Sequence, residues 1–158
     1  MREIPLTKGM VTIIDDEDYE LVSQYKWCVR TSEKGRYYAG RNTGSNNVYL
    51  HRWLLNAQFG IEVDHINGNT LDNRRSNLRL CTRVGNGRNG RKHRLYRSTS
   101  KYKGVYWSVN KWQAQIRVGR ERFNLGRFTN EEEAARAYNE AASKYYGEFA
   151  RLNVIGDQ

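Results

Sequence analysis

Between Arg74 and Arg120 the chain has no acidic residue, against fourteen lysines and arginines, whereas its first fifty residues carry seven of each sign. A surface that only keeps a protein in solution mixes both signs, so an acid-free run of this length points to a polyanionic partner. An acidic protein would also meet that charge. The interleaving of aromatic and hydrogen-bonding side chains with the cations, in YKGVYW and KWQAQIRV, favours nucleic acid. No apolar run approaches the roughly 20 residues that a bilayer requires, which excludes a membrane-spanning helix. The start, MREIPLTKG, has no apolar h-region, so no signal peptide is expected. Cysteine is scarce: Cys28 and Cys81 stand far apart with no Cys-x-x-Cys spacing. That argues against a disulfide framework and against structural zinc. Both are expected to be small buried hydrophobes in a reducing compartment.

What is present is enough for a core. The 158 residues, 38% hydrophobic and 12% aromatic with a formal charge of +10, describe a globular α+β protein of one ordinary domain or two small ones. VTIID reads as a strand, DEDYELVSQY as a short helix, and WCVRT and RYYAGRN as two strands joined by SEKG. VYLHRWLLNAQF carries Leu50, Trp53, Leu54 and Ala57 at helical spacing, ahead of the strand IEVDH, a turn-rich loop and the strand LRLCT. The organisation is an N-terminal α+β lobe at 1–47, a motif-bearing segment at 48–90, a basic linker at 91–100 and a C-terminal module at 101–153.

The module at 101–153 has three strand-like runs, KGVYW, WQAQIRV and RFNLGRF, whose short connections suit an antiparallel meander. Its helix opens on a capping box of Thr129 with Glu132, repeats Ala134, Ala137, Tyr138, Ala141 and Tyr145, and stops at Gly147. Alternation puts Lys111, Gln113, Gln115 and Arg117 on one side of the middle strand and Trp112, Ala114, Ile116 and Val118 toward the helix. Trp107, Trp112 and Phe128 are expected in the core.

The chemistry is concentrated in VDHINGNTLDNRRSNLRLCTRVGN, Val63 to Asn86. Hydrolysis of a phosphodiester needs a water made nucleophilic, a Lewis acid for the leaving oxygen, and groups that hold both. His65 titrates near neutrality and can be the general base. Asp64 precedes it on an extended strand and projects to the opposite side, so it can bind a metal while His65 faces water. A lone His beside an Asp is more often a surface pair than a catalyst. Asn67, Asn69, Asp72 and Asn73 are expected to form turns. For His51, helix packing or phosphate contact is favoured over catalysis, and His93 is expected to be solvated. Arg74, Arg75 and Arg79 surround the loop, where phosphate clamping is favoured over a merely solvated face.

Two resemblances sharpen this. LHRWL, VDHINGNTLDNRRSNLRLCT and the later Asn86, within 48–90, resemble an HNH endonuclease of the phage and intron homing kind. YKGVYW, KWQAQIRV, NLGRF, EEAARAYNEAA and the ending ARLN, within 101–153, resemble the ethylene-response-factor type DNA-binding domain, and the pair is itself an arrangement found among homing endonucleases. The first resemblance implies a ββα-metal fold, Asn77 helping to orient the His65 ring, and Asn86 as second oxygen ligand beside Asp64. One carboxylate and one amide oxygen suit Mg²⁺ or Mn²⁺, bound largely through substrate phosphate. The second implies a three-stranded sheet backed by one helix, with Lys103, Tyr106, Gln115, Arg117, Arg122 and Asn124 facing the DNA. Several of these differ from the plant pattern, so the plant recognition sequence does not carry over. Arg91 and Arg97 in the linker are expected on phosphates.

Two function classes fit: a metal-dependent endonuclease acting on double-stranded DNA at a preferred site, and a non-catalytic transcriptional regulator that keeps a decayed nuclease lobe. The presence of Asp64, His65, Asn77 and Asn86 together favours the enzyme. One such constellation serves one phosphate, so a monomer nicking one strand is expected, in the cytoplasm of the host of a phage or mobile element.

Overall fold

A computed structural model describes residues 1–33, 35–44, 46–90 and 99–156. It is a mixed α/β structure with small antiparallel sheets. The chain divides into two compact units, Met1–Asn86 and Gly87–Gln158. Among the described residues no helix is long and apolar enough to cross a membrane.

In the first unit, strand β1 (Arg2–Pro5) pairs with β2 (Val11–Ile14), and α1 (Tyr19–Ser23) follows. Strands β3 (Cys28–Thr31), β4 (Tyr37–Thr43) and β5 (Asn46–Tyr49) form a meander, and α2 (Leu50–Leu54) leads to β6 (Glu62–His65), β7 (Leu78–Cys81) and the first turn, up to Asn86, of α3 (Arg83–Asn89). Ile4, Ile14, Val22, Trp27, Leu50, Leu54, Val63 and Leu78 close on a shared core. Each fully buried aliphatic side chain contributes about 1.5–3 kcal/mol, so β1, β2, α1 and α2 together hold β6 and β7 in place. The chain also stitches β2 to the loop after β6: Ile13 N donates to Leu71 O at 2.9 Å and Asn73 N donates to Ile13 O at 2.7 Å.

The helix expected from VYLHRWLLNAQF is shorter than its apolar spacing suggests. Val48 and Tyr49 belong to β5, paired with Arg41 and Gly40. Cross-strand pairing outcompetes helical periodicity for a β-branched and an aromatic residue. At the other end Asn56 takes a left-handed φ of 46°, and the Arg52 guanidinium donates to the carbonyls of Ala57, Gln58 and Ile61, closing the turn.

In the second unit β8 (Val105–Ser108), β9 (Lys111–Val118) and β10 (Glu121–Phe128) form an antiparallel sheet with β9 central. Helix α4 (Glu131–Tyr146) packs on it through Ala134, Ala135, Tyr138, Ala141 and Ala142. These small side chains let the helix lie close to Ala114 and Ile116 of β9. The capping residue is Asn130 rather than Thr129: its side chain accepts from Glu132 N at 2.7 Å. Amide and hydroxyl oxygens cap equally well, and the chain turn places the amide at the helix mouth. Gly147 ends the helix with φ 53°. Asn153 accepts from Lys103 N at 2.6 Å and donates to Lys103 O at 3.0 Å, while Asn139 holds its backbone, so the chain end clasps the start of the sheet. Trp107 departs from its expected core position and is 45% exposed, because β8 is an edge strand; it packs edge-on against Trp112 at 5.0 Å.

Candidate functional site

The loop between β6 and β7 is built from amides. Asn67 Oδ1 accepts from Asn69 N, and Asn69 Oδ1 accepts from Leu71 N, the local closures that Asn favours. The resemblance assigns Asn77 to orienting the His65 ring; its side-chain bonds to Asn67 and Asp72 lie within the loop. Its Oδ1 accepts from Asn67 N at 2.9 Å and its Nδ2 donates to Asp72 O at 2.7 Å, so it braces the loop from within.

The ring is met by Asn73, which is fully buried. The direction of each bond in this chain follows from its far end. Leu71 O can only accept, so the Thr12 hydroxyl donates to it at 2.7 Å and must itself accept from Asn73 Nδ2 at 2.7 Å. That turns Asn73 Oδ1 toward His65 Nε2 at 3.3 Å. His65 Nε2 therefore carries the proton, and Nδ1 holds the lone pair that a general base needs. Burial lowers the His65 pKa, with Arg36 acting the same way, while the Asn73 bond, Asp64 and Asp72 oppose the shift. An uncharged imidazole at neutral pH is the form able to take a proton.

A second imidazole stands beside the first. His51, at the start of α2, places its ring edge-on to His65 with centroids 5.1 Å apart, and Tyr38 and Tyr49 pack on it at 5.5 and 5.7 Å. Burial, then His65 and Arg52, push its pKa from 6.5 down to about 3. The unfolded chain thus binds more protons than the folded one between pH 3 and 6.5, and stability is lost as pH falls through 6.5. Urea midpoints should show a loss of about 2 kcal/mol at pH 5 relative to pH 8 from His51, with His65 adding in the same direction. His51→Phe should remove its share, and an unchanged pH dependence would contradict the buried neutral ring.

Asp64 faces Arg79 across the β6–β7 pair, with Arg79 Nη2 and Nε donating to Asp64 Oδ2 at 2.6 and 3.0 Å. Asn86, on α3, donates its Nδ2 to Glu62 Oε2 at 2.6 Å, which turns its amide oxygen away from that carboxylate. Among the described residues no three His, Cys, Asp or Glu side chains converge as a metal cage. Asp64 and Asn86 offer one carboxylate and one amide oxygen, hard donors of the kind a weakly held divalent cation takes when it shares its shell with substrate phosphate. Arg74, Arg75 and Arg79, expected to clamp phosphate, are each held by a carboxylate of this unit. Arg74 forks onto Asp72 at 2.8 and 2.7 Å, and Arg75 forks onto Asp18 while donating to Leu54 O, because carboxylates within the loop and from α1's approach reach them first.

On the second unit, the sheet face away from α4 carries Tyr106 and Ser108 from β8, Lys111, Gln113, Gln115 and Arg117 from β9, and Arg122, Asn124 and Arg127 from β10, with no carboxylate among them. Arg117 and Arg122 lie directly opposite each other, a like-charge pairing that destabilises a free sheet and that an anion would relieve. Arg127, exposed and opposite Gln113, belongs to this set, although its family position did not mark it. Two residues expected to face the DNA also make contacts within the unit. Lys103 Nζ donates to Arg88 O and Gly90 O at 2.7 Å each, and burial and Arg151 bring its pKa down to about 8. Asn124 Oδ1 accepts from Gly126 N at 3.0 Å, holding the bulge in β10. The residues Arg91, His93 and Arg97 lie outside the described residues.

A family model described as HNH endonuclease matches residues 48–88. A protein of Acanthamoeba polyphaga mimivirus, named an uncharacterized HNH endonuclease, is 32% identical over 155 residues, spanning 94% of this chain and 77% of that protein. An ethylene-responsive transcription factor-like protein of Arabidopsis thaliana is 50% identical over 40 residues, 25% of this chain and 18% of its own. An AP2/ERF and B3 domain-containing protein of Oryza sativa subsp. japonica is 48% identical over 59 residues, 37% of this chain and 16% of its own.

Proposed function

The chain belongs to the HNH endonuclease family of DNA-hydrolysing enzymes, and we propose that it is a divalent-metal-dependent enzyme of the homing kind that nicks DNA at a preferred site. The observation that carries this reading is the hydrogen-bond chain from Leu71 through Thr12 and Asn73, which gives His65 a defined tautomer next to Asp64. His65 Nδ1 accepts a proton from the attacking water, and Asn73 Oδ1 holds the Nε2 proton as the ring becomes charged. Asp64 and Asn86 would hold the cation, Mg²⁺ or Mn²⁺, which supplies charge to the leaving oxygen when bound. Strands β6 and β7 and helix α3 are read as the elements of a ββα-metal arrangement.

The second unit is read as an ethylene-response-factor type module that meets the major groove with its uncovered sheet face. Arg91 and Arg97 are assigned to phosphates. Bidentate arginine prefers guanine, so Arg117→Ala and Arg122→Ala should each relax the preferred site by about 1–3 kcal/mol at one base position. Supercoiled plasmid carrying the gene's flanking DNA, incubated with protein and Mg²⁺, tests the whole reading. Open circles with mapped ends at one position are expected, and selection of bound sequences reports the arginine variants. Linear product without a nicked lag, from a dimeric protein, would replace nicking by concerted cutting; intact plasmid would sink the nuclease reading.

A further inference from the structure

His51 is 8% exposed, and its Nδ1 is sealed from solvent with no hydrogen-bond partner, whereas Nε2 is not sealed in this way. A neutral imidazole has one N–H and one lone pair. Leaving a buried N–H without an acceptor is the rarer defect in native proteins, so the lone pair belongs on the sealed Nδ1 and the proton on Nε2. The ring stays uncharged at neutral pH because burial, His65 and Arg52 all oppose protonation. A residue kept only to fill the space between Tyr38, Tyr49 and His65 would do so better without polar atoms, since a buried nitrogen without a partner is destabilising. The accessible Nε2–H, on a ring whose centroid is 5.1 Å from that of His65, is the polar group His51 can offer to a ligand that reaches the base.

We propose that His51 is a second catalytic imidazole, a neutral Nε2–H donor to a non-bridging oxygen of the scissile phosphate. The proposal rests on His65 being the base. The two rings then divide the work. Water gives its proton to His65 Nδ1 as its oxygen bonds to phosphorus. The bond from phosphorus to the leaving oxygen breaks, and that oxygen takes its proton from solvent. His51 shares its proton without transferring it, and because it is not basic it does not compete with His65 for the proton of the water. A donor aimed at developing charge from a fixed position acts more strongly in the reacting state than before it.

Two variants of the full chain separate this from packing. His51→Phe keeps a flat ring against His65 and removes the donor; His51→Gln returns an N–H near the position of Nε2. In single-turnover cleavage of its flanking DNA, the Phe variant should be slower by roughly 10²–10³-fold and the Gln variant within about tenfold of wild type, with DNA affinity nearly unchanged in both. Nitrogen-15 correlation spectra of the wild type should show the His51 proton on Nε2, and its resonance should move when a cognate duplex is added in EDTA. A Phe variant that cuts at the wild-type rate, a proton found on Nδ1, or a resonance indifferent to DNA would each overturn the proposal. If the wild type itself cuts nothing, the nuclease reading fails, and the spectra still decide whether His51 meets phosphate.

Discussion

His65→Ala is expected to slow DNA cleavage by roughly 10²–10⁴-fold while leaving DNA affinity nearly unchanged. The reason lies in where the ring is held. His65 is 4% exposed, and Asn73, Thr12 and Leu71 fix its tautomer through bonds that cross from the loop to β2. Such a ring contributes little contact area to DNA and much to proton transfer. Single-turnover rates and equilibrium binding, measured side by side, make the distinction. A variant that cuts at a near-native rate would remove His65 from the mechanism, and one that loses binding and cleavage together would make it a structural residue.

Gly104→Ala is expected to destabilise the second unit by a large part of its stability and to spare the first. Gly104 has φ +76°, and a Cβ there would stand 2.0 Å from Tyr138 Cδ2 and 2.7 Å from Gln115 O. Tyr138 is 3% exposed and packed in the α4 core, so it has nowhere to go. Left-handed strain and forced repacking together cost about 2–6 kcal/mol, against a domain stability of about 5–15 kcal/mol. Calorimetry should show one transition weakened or lost and the other kept. At temperatures above the weakened transition, cleavage should persist and spread over many sites, because readout is assigned to the sheet and chemistry to the Asp64 and His65 region. Unchanged melting would contradict the close approach at Gly104. A preferred site retained with the second unit unfolded would place sequence readout elsewhere.

What the sequence determined by itself is what is local or periodic. The helix α4 follows from alanines and tyrosines at helical spacing, and the alternation in KWQAQIRV separates Ala114 and Ile116, buried, from the polar residues of the opposite face. The adjacency of Asp64 and His65 on one strand, and the acid-free basic run, needed no fold to be seen. Tertiary structure decided partnership. Asn73 shows no local sign of its role, because Thr12, which sets the direction of its amide, is 61 residues away in sequence. Nothing in LHRWL brings His51 against His65; β4 and α2 do so by closing on the same core as β6. Arg75, which the loop sequence offers to phosphate, and Lys103, which the family pattern turns toward DNA, are met in the fold by Asp18 and by two backbone carbonyls. A hydrogen bond forms with whichever group the folded chain delivers at about 3 Å, and spacing along the chain does not specify that group unless the two are neighbours in sequence.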